Sequence, residues 1–472
     1  MVGGWTNHYN EQRNLQGAFT MNNHKYALVR PRGLAHLALA GLLATAIASP
    51  VAAQSGTPLP VAPPIATVAS PNAAPPQTPS AAPVAPGNTP RPVAPAAAKP
   101  DDPPTVVVTA APGKGLRIAT KDGSYAIGVR ARVQMRDTFT HTEKGTTNEL
   151  NIKTARLFLT GNAIVPELQY FLQFAFGSND FEKDNASPIF DAYLEYTKWR
   201  DLNVRVGQFF VPFDRARTTR EFALQLVDRQ QIVQELSLDR DVGIMLSSSN
   251  LFGTRVLGYN LFVGGGEGRN RFGGQAQGPL AVMRLTLRPF GVFDDDVEAD
   301  LERLPKSRLA ISVAGAYNHQ TNRQKSTLGN TLELGTLDYT HGAADLVFKY
   351  AGFSLLAETL VRLARLDHLD GEVDGVATRE WSRSGWGYFV QAGMMLNRRV
   401  ELAARWDQLS AFSGTDPTLT QLVADQGKQI VGGLNVYLNG HFFKLQTDYT
   451  YAFGSNTRAT KQMGRLQLDV TF

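Results

Sequence analysis

From Tyr125 onward the chain alternates. Tyr125, Ile127, Val129, Val133 and Met135 take turns with Gly128, Arg130, Arg132, Gln134 and Arg136, the period-two pattern of a strand whose two faces meet different surroundings. Similar segments recur near residues 152–162, 168–177, 190–198, 202–211, 242–248, 255–264, 280–288, 308–317, 343–350, 353–363, 385–396, 399–407, 429–438, 442–453 and 462–472. Together they make about sixteen strands, an even number, as antiparallel closure of a bacterial barrel requires. In a soluble sandwich the apolar face would be a core. In a membrane barrel it meets lipid, and the polar face lines a lumen.

The connections alternate in length. Short links stand at Val165-Pro166, Arg200-Asp201, Ala351-Gly352, Asn397-Arg398 and Asn439-Gly440, the last a favoured hairpin dipeptide. Long polar links fall between them, near residues 139–149, 178–187, 264–278, 318–342, 367–384 and 410–428. Short turns on one rim and long loops on the other predict a transmembrane antiparallel β-barrel. The link from Phe293 to Lys306 is longer than this rule allows. The last strand puts Leu466, Leu468, Val470 and Phe472 on one face, and a terminal phenylalanine in that alternation resembles the signal read by the outer-membrane assembly machinery. Trp386, Tyr388, Trp406, Tyr449, Tyr451 and Phe453 fall on outward faces towards strand ends, where interfacial rings belong.

Composition adds a leader and a tail. The one long apolar stretch, Leu34 to Ala48, follows Lys25, Arg30 and Arg32 and precedes Val51-Ala52-Ala53, which reads as a secretory signal cut after Ala53. Met21 makes a more usual start than Met1, so residues 1–53 are set aside as an extension and signal. Residues 54–114 hold about two thirds of the chain's 26 prolines, a composition that cannot bury enough apolar surface to order itself and predicts an extended periplasmic tail. The barrel domain is then 115–472. No later apolar run is long enough to span a bilayer as a helix. The formal charge of +5 comes partly from the leader and says little about partners. Cysteine is absent, which excludes disulfides, thiolate nucleophiles and cysteine-held metal.

One stretch names a family. Val204-Arg205-Val206-Gly207-Gln208-Phe209-Phe210-Val211-Pro212-Phe213 resembles a hallmark of the phosphate-selective porins O and P. Ile189 to Tyr196, Gln391-Ala392-Gly393 and Val400 to Asp407 also resemble that family, and the resemblance covers essentially everything after Gly115. It implies a trimer of sixteen-stranded barrels, each with its own pore and an inward-folded third external loop. The corresponding segment, Asp214 to Asp241, holds Arg215, Arg217, Arg220, Arg229 and Arg240, but also Asp214, Glu221, Asp228, Glu235, Asp239 and Asp241. It is not strongly basic, which departs from an arginine-clad constriction.

With the less apolar face of each strand taken inward, the lumen holds Arg130, Arg132, Arg136, Arg156, Arg205, Arg284, Arg288, Arg308, Lys349, Arg362, Arg399, Arg405, Lys444 and Arg465. Facing them are Asp191, Glu195, Asp345, Glu358, Glu401, Asp407, Asp448 and Asp469. Such a surplus of positive charge in a low-dielectric wall enriches small anions. Arg130, Arg132 and Arg136 share one strand face and form a possible ladder for phosphate oxygens. The alternative, that these arginines pair with lumenal carboxylates, stands beside it. The expectation is a porin for passive diffusion of small anions, phosphate or polyphosphate among them, or else a weakly selective general porin. Its expected partners are outer-membrane lipid and lipopolysaccharide, with no nucleic acid and no cofactor.

Two rivals remain. Thr105 to Ala110 resembles a TonB box, but an energised receptor needs about 22 strands and a plug, and the chain leaves no room for one. An outer-membrane enzyme is unsupported, since Gly-x-Ser-x-Gly and His-Glu-x-x-His are both missing. Asp294-Asp295-Asp296 and Asp370 to Gly375 lack full calcium-loop spacing and read as solvated acidic loops.

Overall fold

A computed structural model describes residues 106–177, 180–181, 187–271 and 278–472. Residues 1–105, which include the stretch expected to be a signal and most of the Pro/Ala-rich stretch, lie outside the described residues. Two short strands come first, β1 (Val106–Ala111) and β2 (Gly115–Thr120). There follow β3 (Ala126–Thr142), β4 (Gly145–Ala163), β5 (Val165–Ala175), β6 (Ile189–Trp199), β7 (Leu202–Phe210), β8 (Arg240–Ser248), β9 (Leu257–Gly264) and β10 (Leu280–Leu287). The chain continues through β11 (Arg308–Thr321), β12 (Leu337–Tyr350), β13 (Phe353–Ala364), β14 (His368–Val373), β15 (Val376–Trp381), β16 (Gly385–Met395) and β17 (Val400–Ala411). It ends with β18 (Lys428–Asn439), β19 (Phe443–Phe453) and β20 (Lys461–Thr471). The helices are α1 (Arg215–Thr218), α2 (Gln231–Leu236) and α3 (Pro417–Gln426).

Eighteen strands share one sheet, and β14–β15 form a separate hairpin. With β1 and β2 set apart, the sixteen that remain pair antiparallel, each with the next. β20 returns to β3, from Thr471 opposite Arg132 to Gln462 opposite His141, and closes the barrel. Closure satisfies every ladder in the wall without a free edge, which a bilayer demands.

The alternation has turned inside out relative to a soluble protein. On β19 Lys444, Gln446, Asp448 and Thr450 are buried, while Leu445, Tyr449 and Tyr451 are exposed. On β10 Arg284 and Thr286 are buried, and Met283, Leu285 and Leu287 are exposed. The outer face is apolar and the inner face charged, as predicted for a wall between lipid and a lumen. Outward rings gather near the rim of long loops, where Trp386 stacks on Tyr388 at 6.4 Å and Phe453 meets Tyr451 at 5.3 Å.

Several sequence boundaries shift. The expected long link at residues 139–149 is instead the continuation of β3 and β4, which stay in register from Phe139 opposite Asn148 to Thr142 opposite Gly145. Polar residues on both faces read as a loop, but a ladder standing in water above the bilayer needs no apolar face. Residues 367–384 contain the hairpin β14–β15, turned at Asp374 and Gly375, both at positive φ. The last residues assigned to the tail are also ordered. Val106–Ala111 pair residue for residue with β2, so the TonB-box-like segment is half of a hairpin. β2 in turn pairs with Ala126–Val129 of β3, beneath the point where Phe472 exchanges backbone hydrogen bonds of 2.8 and 2.9 Å with Ala131.

Because exposed positions face hydrocarbon, a charge placed on one should be costly. Val313, midway along β11 and exposed, is expected to lose about 2–4 kcal/mol of stability as Val313→Arg. Denaturant unfolding from lipid vesicles measures this, and an unchanged midpoint would contradict the lipid-facing assignment.

Candidate functional site: a lumen divided by an inward loop

The segment between β7 and β8, residues 211–239, folds into the barrel. Its sequence dictates how. Asp214 caps α1 by accepting a hydrogen bond of 2.7 Å from the Arg217 amide. Ile232, Val233 and Leu236 of α2 are fully buried in a cluster with Phe209 and Phe213, and with Leu360, Phe389 and Leu409 from the far wall. The wall makes room for the loop with glycines. A β-carbon on Gly387, Gly393 or Gly433 would overlap Ile232, Gln225 or Leu226 respectively.

Charge then locks the loop. Glu235 accepts hydrogen bonds from Arg362 and Arg383, both at 2.8 Å, and pairs with Lys325 at 2.6 Å. Asp228 reaches Arg136 at 3.2 Å and Arg465 at 3.4 Å, and Glu221 reaches Arg156 at 3.1 Å. In the opposite sense, Arg215 of the loop pairs with Asp345 at 2.7 Å and Asp295 at 2.9 Å. Burial alone would raise the Glu221 carboxyl, but Arg156 and Arg132 outweigh it and hold it below its ordinary range.

The unexplained link from Phe293 to Lys306 is a floor beneath this loop. Asp295 is shared by Arg215 and Arg288. Glu298 accepts from the Gln225 amide at 2.7 Å and from the Gln391 side chain at 2.8 Å. Asp300 takes Arg308 at 2.5 Å and the Gly352 amide at 2.8 Å. The extra length is spent on carrying carboxylates to buried cations of the wall and loop. Asp295 is therefore built into the lumen, while Asp294 and Asp296 on either side of it are exposed and line the cavity.

Loop and floor fill the side of the barrel towards β11–β20. Beside β4–β10 they leave a cavity of about 630 Å³. Of the arginines expected there, Arg132, Arg156, Arg205, Arg284 and Arg288 line it together with Arg215, Arg220 and Arg229. Most are already engaged. Arg132 forks onto Asp469 at 2.9 and 2.6 Å, Arg205 meets Glu195 at 2.9 Å, and Arg284 meets Asp345 at 2.5 Å. Arg136 lies outside the cavity lining, held by Gln467 and Asp228. Arg217 pairs with Asp239 at 3.0 Å, and Arg229 donates to the carbonyls of Ala216 and Thr219. Burial and then the neighbouring Arg217 push Arg229 down to about 10, so it remains a cation at neutral pH. Arg130 and Arg220 differ. Neither has a carboxylate within ion-pair distance among the described residues, and Arg220 is exposed in the lumen. Arg399, taken as inward from the alternation, is instead exposed in the turn before β17, because the strand begins one residue later.

The lumen also holds rings that the alternation placed but that were not singled out. Phe158 shares the inward face of β4 with Arg156, and Tyr193 lies between the inward Asp191 and Glu195 on β6. The signal was present in the spacing, since any residue two places from an inward charge faces inward too.

The tether at Glu235 has a defined pH range. Burial would raise its carboxyl, but Arg362, Lys325 and Arg383 hold it down at about 2. A carboxylate lowered in the folded protein contributes its full stability above its ordinary value of 4.5 and loses it as pH falls through about 2. Paired spin labels on loop and wall should keep a constant distance from neutrality to about pH 5 and broaden only on further acidification. Broadening already near about pH 6 would contradict this assignment.

The chain matches the family model for phosphate-selective porin O and P over residues 126–467. Among solved structures, OmpF of Salmonella typhi in complex with daunomycin is 14% identical, with 74% of this chain and 98% of that chain covered and a TM-score of 0.50. An anion-selective porin from Comamonas acidovorans is 10% identical over 74% of this chain and 100% of its own, at a TM-score of 0.49. The outer-membrane channel DcaP of Acinetobacter baumannii is 12% identical over 75% and 99%, at 0.48. At such identities the OmpF likeness is one of fold. No curated protein matches the sequence. The family match runs along nearly the whole closed wall, and the chain therefore belongs to the phosphate-selective porin O and P family, as an outer-membrane porin of a Gram-negative bacterium.

Proposed function

We propose that this porin passes small anions in preference to cations by passive diffusion, phosphate and polyphosphate among them. The supporting observation is the charge around the cavity: nine arginines against four carboxylates, Asp191, Glu221, Asp294 and Asp296. In a narrow, low-dielectric passage such an excess draws anions in. Among the described residues Arg130 and Arg220 pair with no carboxylate; Arg220, in the cavity lining, offers its guanidinium fork to solute oxygens, and Arg130 stands just outside that lining. Arg132, Arg136, Arg156, Arg205, Arg284 and Arg288 hold carboxylates and act mainly through the field of their clusters. Binding must be weak enough for release, and two unpaired arginines fit that requirement better than a fully open ladder.

The same reading includes removal of a signal segment, assembly through Phe472, contact with outer-membrane lipid and lipopolysaccharide, and the homotrimer that the family resemblance implies. A weakly selective general porin is the second reading. It is favoured by the number of lumenal arginines that already hold a carboxylate, such as Arg132 on Asp469 and Arg284 on Asp345.

Planar-bilayer recordings in a potassium chloride gradient decide between them. The expected reversal potential favours chloride, and Arg220→Gln should lower the chloride-to-potassium permeability ratio by about twofold or more, the effect of one unscreened charge at a constriction. A wild-type channel that favours potassium would overturn the anion reading.

A further inference from the structure

Barrel lumens of this kind are lined by polar side chains, yet four rings cross the cavity wall side by side. Phe158 of β4, Phe171 of β5, Tyr193 of β6 and Phe209 of β7 all line it. Successive centroids lie 6.2, 5.3 and 5.8 Å apart. Phe171 stands directly opposite Tyr193 in the ladder, and their rings are only 15° from parallel. Gly207 of β7 flanks Tyr193 on its other side. Its φ is +132°, and a β-carbon there would overlap the Ala192 carbonyl oxygen and lie 2.8 Å from the Tyr193 Cα. The hallmark glycine thus lets β7 pass close against the β6 backbone that carries Tyr193.

A guanidinium lies over each ring. Arg130 is 5.0 Å from the Phe158 centroid and Arg220 is 5.5 Å from that of Phe171. Arg205 lies 4.3 Å from Tyr193 and 5.3 Å from Phe209. A ring face holds a cation in place without neutralising it, whereas a carboxylate partner would cancel the charge. Among the described residues Arg130 and Arg220 have ring partners only, and the charges that act on Arg130 are the cations Arg220 and Arg132. Two guanidiniums are therefore fixed beside a strip of aromatic surface, Arg220 in the cavity lining and Arg130 just outside it against Phe158.

Those two features together select a shape of solute. Hydrated phosphate gains from the guanidiniums, but it gains nothing from rings that offer its oxygens no hydrogen bond. A planar apolar body carrying one carboxylate uses both. Its oxygens accept from the Arg220 fork, with Arg130 adding its charge from beside the cavity, and its ring lies against the Phe171–Tyr193 pair or on a guanidinium plane.

We infer that the track from Phe158 to Phe209 is a binding subsite for aromatic monocarboxylates of the benzoate class. This rests on the anion preference proposed above and goes beyond it in the class of solute. The subsite lies in the wall of the cavity that the loop leaves beside β4–β10.

The test uses the full-length porin in planar bilayers, with sodium benzoate, acetate and phosphate as probes. Benzoate should permeate, or block chloride current, at least about threefold more effectively than acetate relative to their free mobilities, the size expected of one aromatic contact. It should also block at a lower concentration than phosphate. The double variant Phe171→Leu with Tyr193→Leu should bring benzoate to the level of acetate, both read as a ratio to chloride in the same channel. Benzoate no better than acetate, or better blocked by phosphate, or still preferred in the double variant, overturns the subsite even if the channel is anion-selective. A potassium-selective channel instead brings down the anion reading beneath it. The wild-type comparison stands whether or not the double variant assembles.

Discussion

The lumen depends on one interaction, the docking of an acidic loop onto a basic wall. Arg362, Arg136, Arg465 and Arg156 project inward from four strands, and Glu235, Asp228 and Glu221 of the loop come to them. The Arg362–Glu235 pair is buried on both sides, and removing one partner of such a pair costs about 3–5 kcal/mol, whereas the Asp228 and Glu221 carboxylates stay partly exposed and hold the loop less tightly. The apolar faces of α2 and the glycine seats under Ile232, Gln225 and Leu226 supply the attraction that places the loop. The ion pairs fix its position. Every other lumenal property, from the location of the cavity to the identity of the free arginines, follows from which part of the wall this loop covers.

That docking explains why the wall could be read from sequence while its charge balance could not. Alternation has a period of two whatever lies on the far side of the barrel, so Tyr125 to Met135 announced a strand and its inward face without any knowledge of partners. Counting Arg362 and Arg465 as surplus positive charge was sound for the wall alone. It failed for the lumen because Glu235 and Asp228 lie in a segment whose own composition looked neutral, and nothing local says which wall residue each will meet. The floor at Asp295, Glu298 and Asp300 was opaque for the same reason. Its excess length was visible, but its cause, a set of cations up to 80 residues away in sequence, was not.

Where the sequence misled, a rule about membranes had been applied outside the membrane. Residues 139–149 looked like a loop because neither face is apolar, yet β3 and β4 stay paired up to Thr142 and Gly145. Backbone hydrogen bonds hold a hairpin in water as readily as in lipid. Only the side-chain pattern changes there. The same reasoning covers Val106–Ala111, where three valines after a proline-rich stretch found a partner strand in β2.

The lumen fixes its arginines in two ways, and the two divide it. On the side filled by the loop, guanidiniums are held by carboxylates, as with Arg362 on Glu235 and Arg465 on Asp448. Those contacts consume the charge they position. Beside the cavity, where Arg132, Arg205 and Arg284 also hold carboxylates, Arg130 and Arg220 alone among the described arginines of β3–β10 and the loop are held only against rings, Phe158 and Phe171, contacts that orient a cation and leave its field intact. A charge that must both stay in place and meet a passing anion cannot be anchored by a permanent anion. An aromatic face is the anchor that remains, and a pore built on that constraint acquires an apolar strip beside its free charge. On the proposed anion reading, the rings are part of how the passage keeps its arginines available, and selectivity for the body of the solute would arise from the same side chains that hold them.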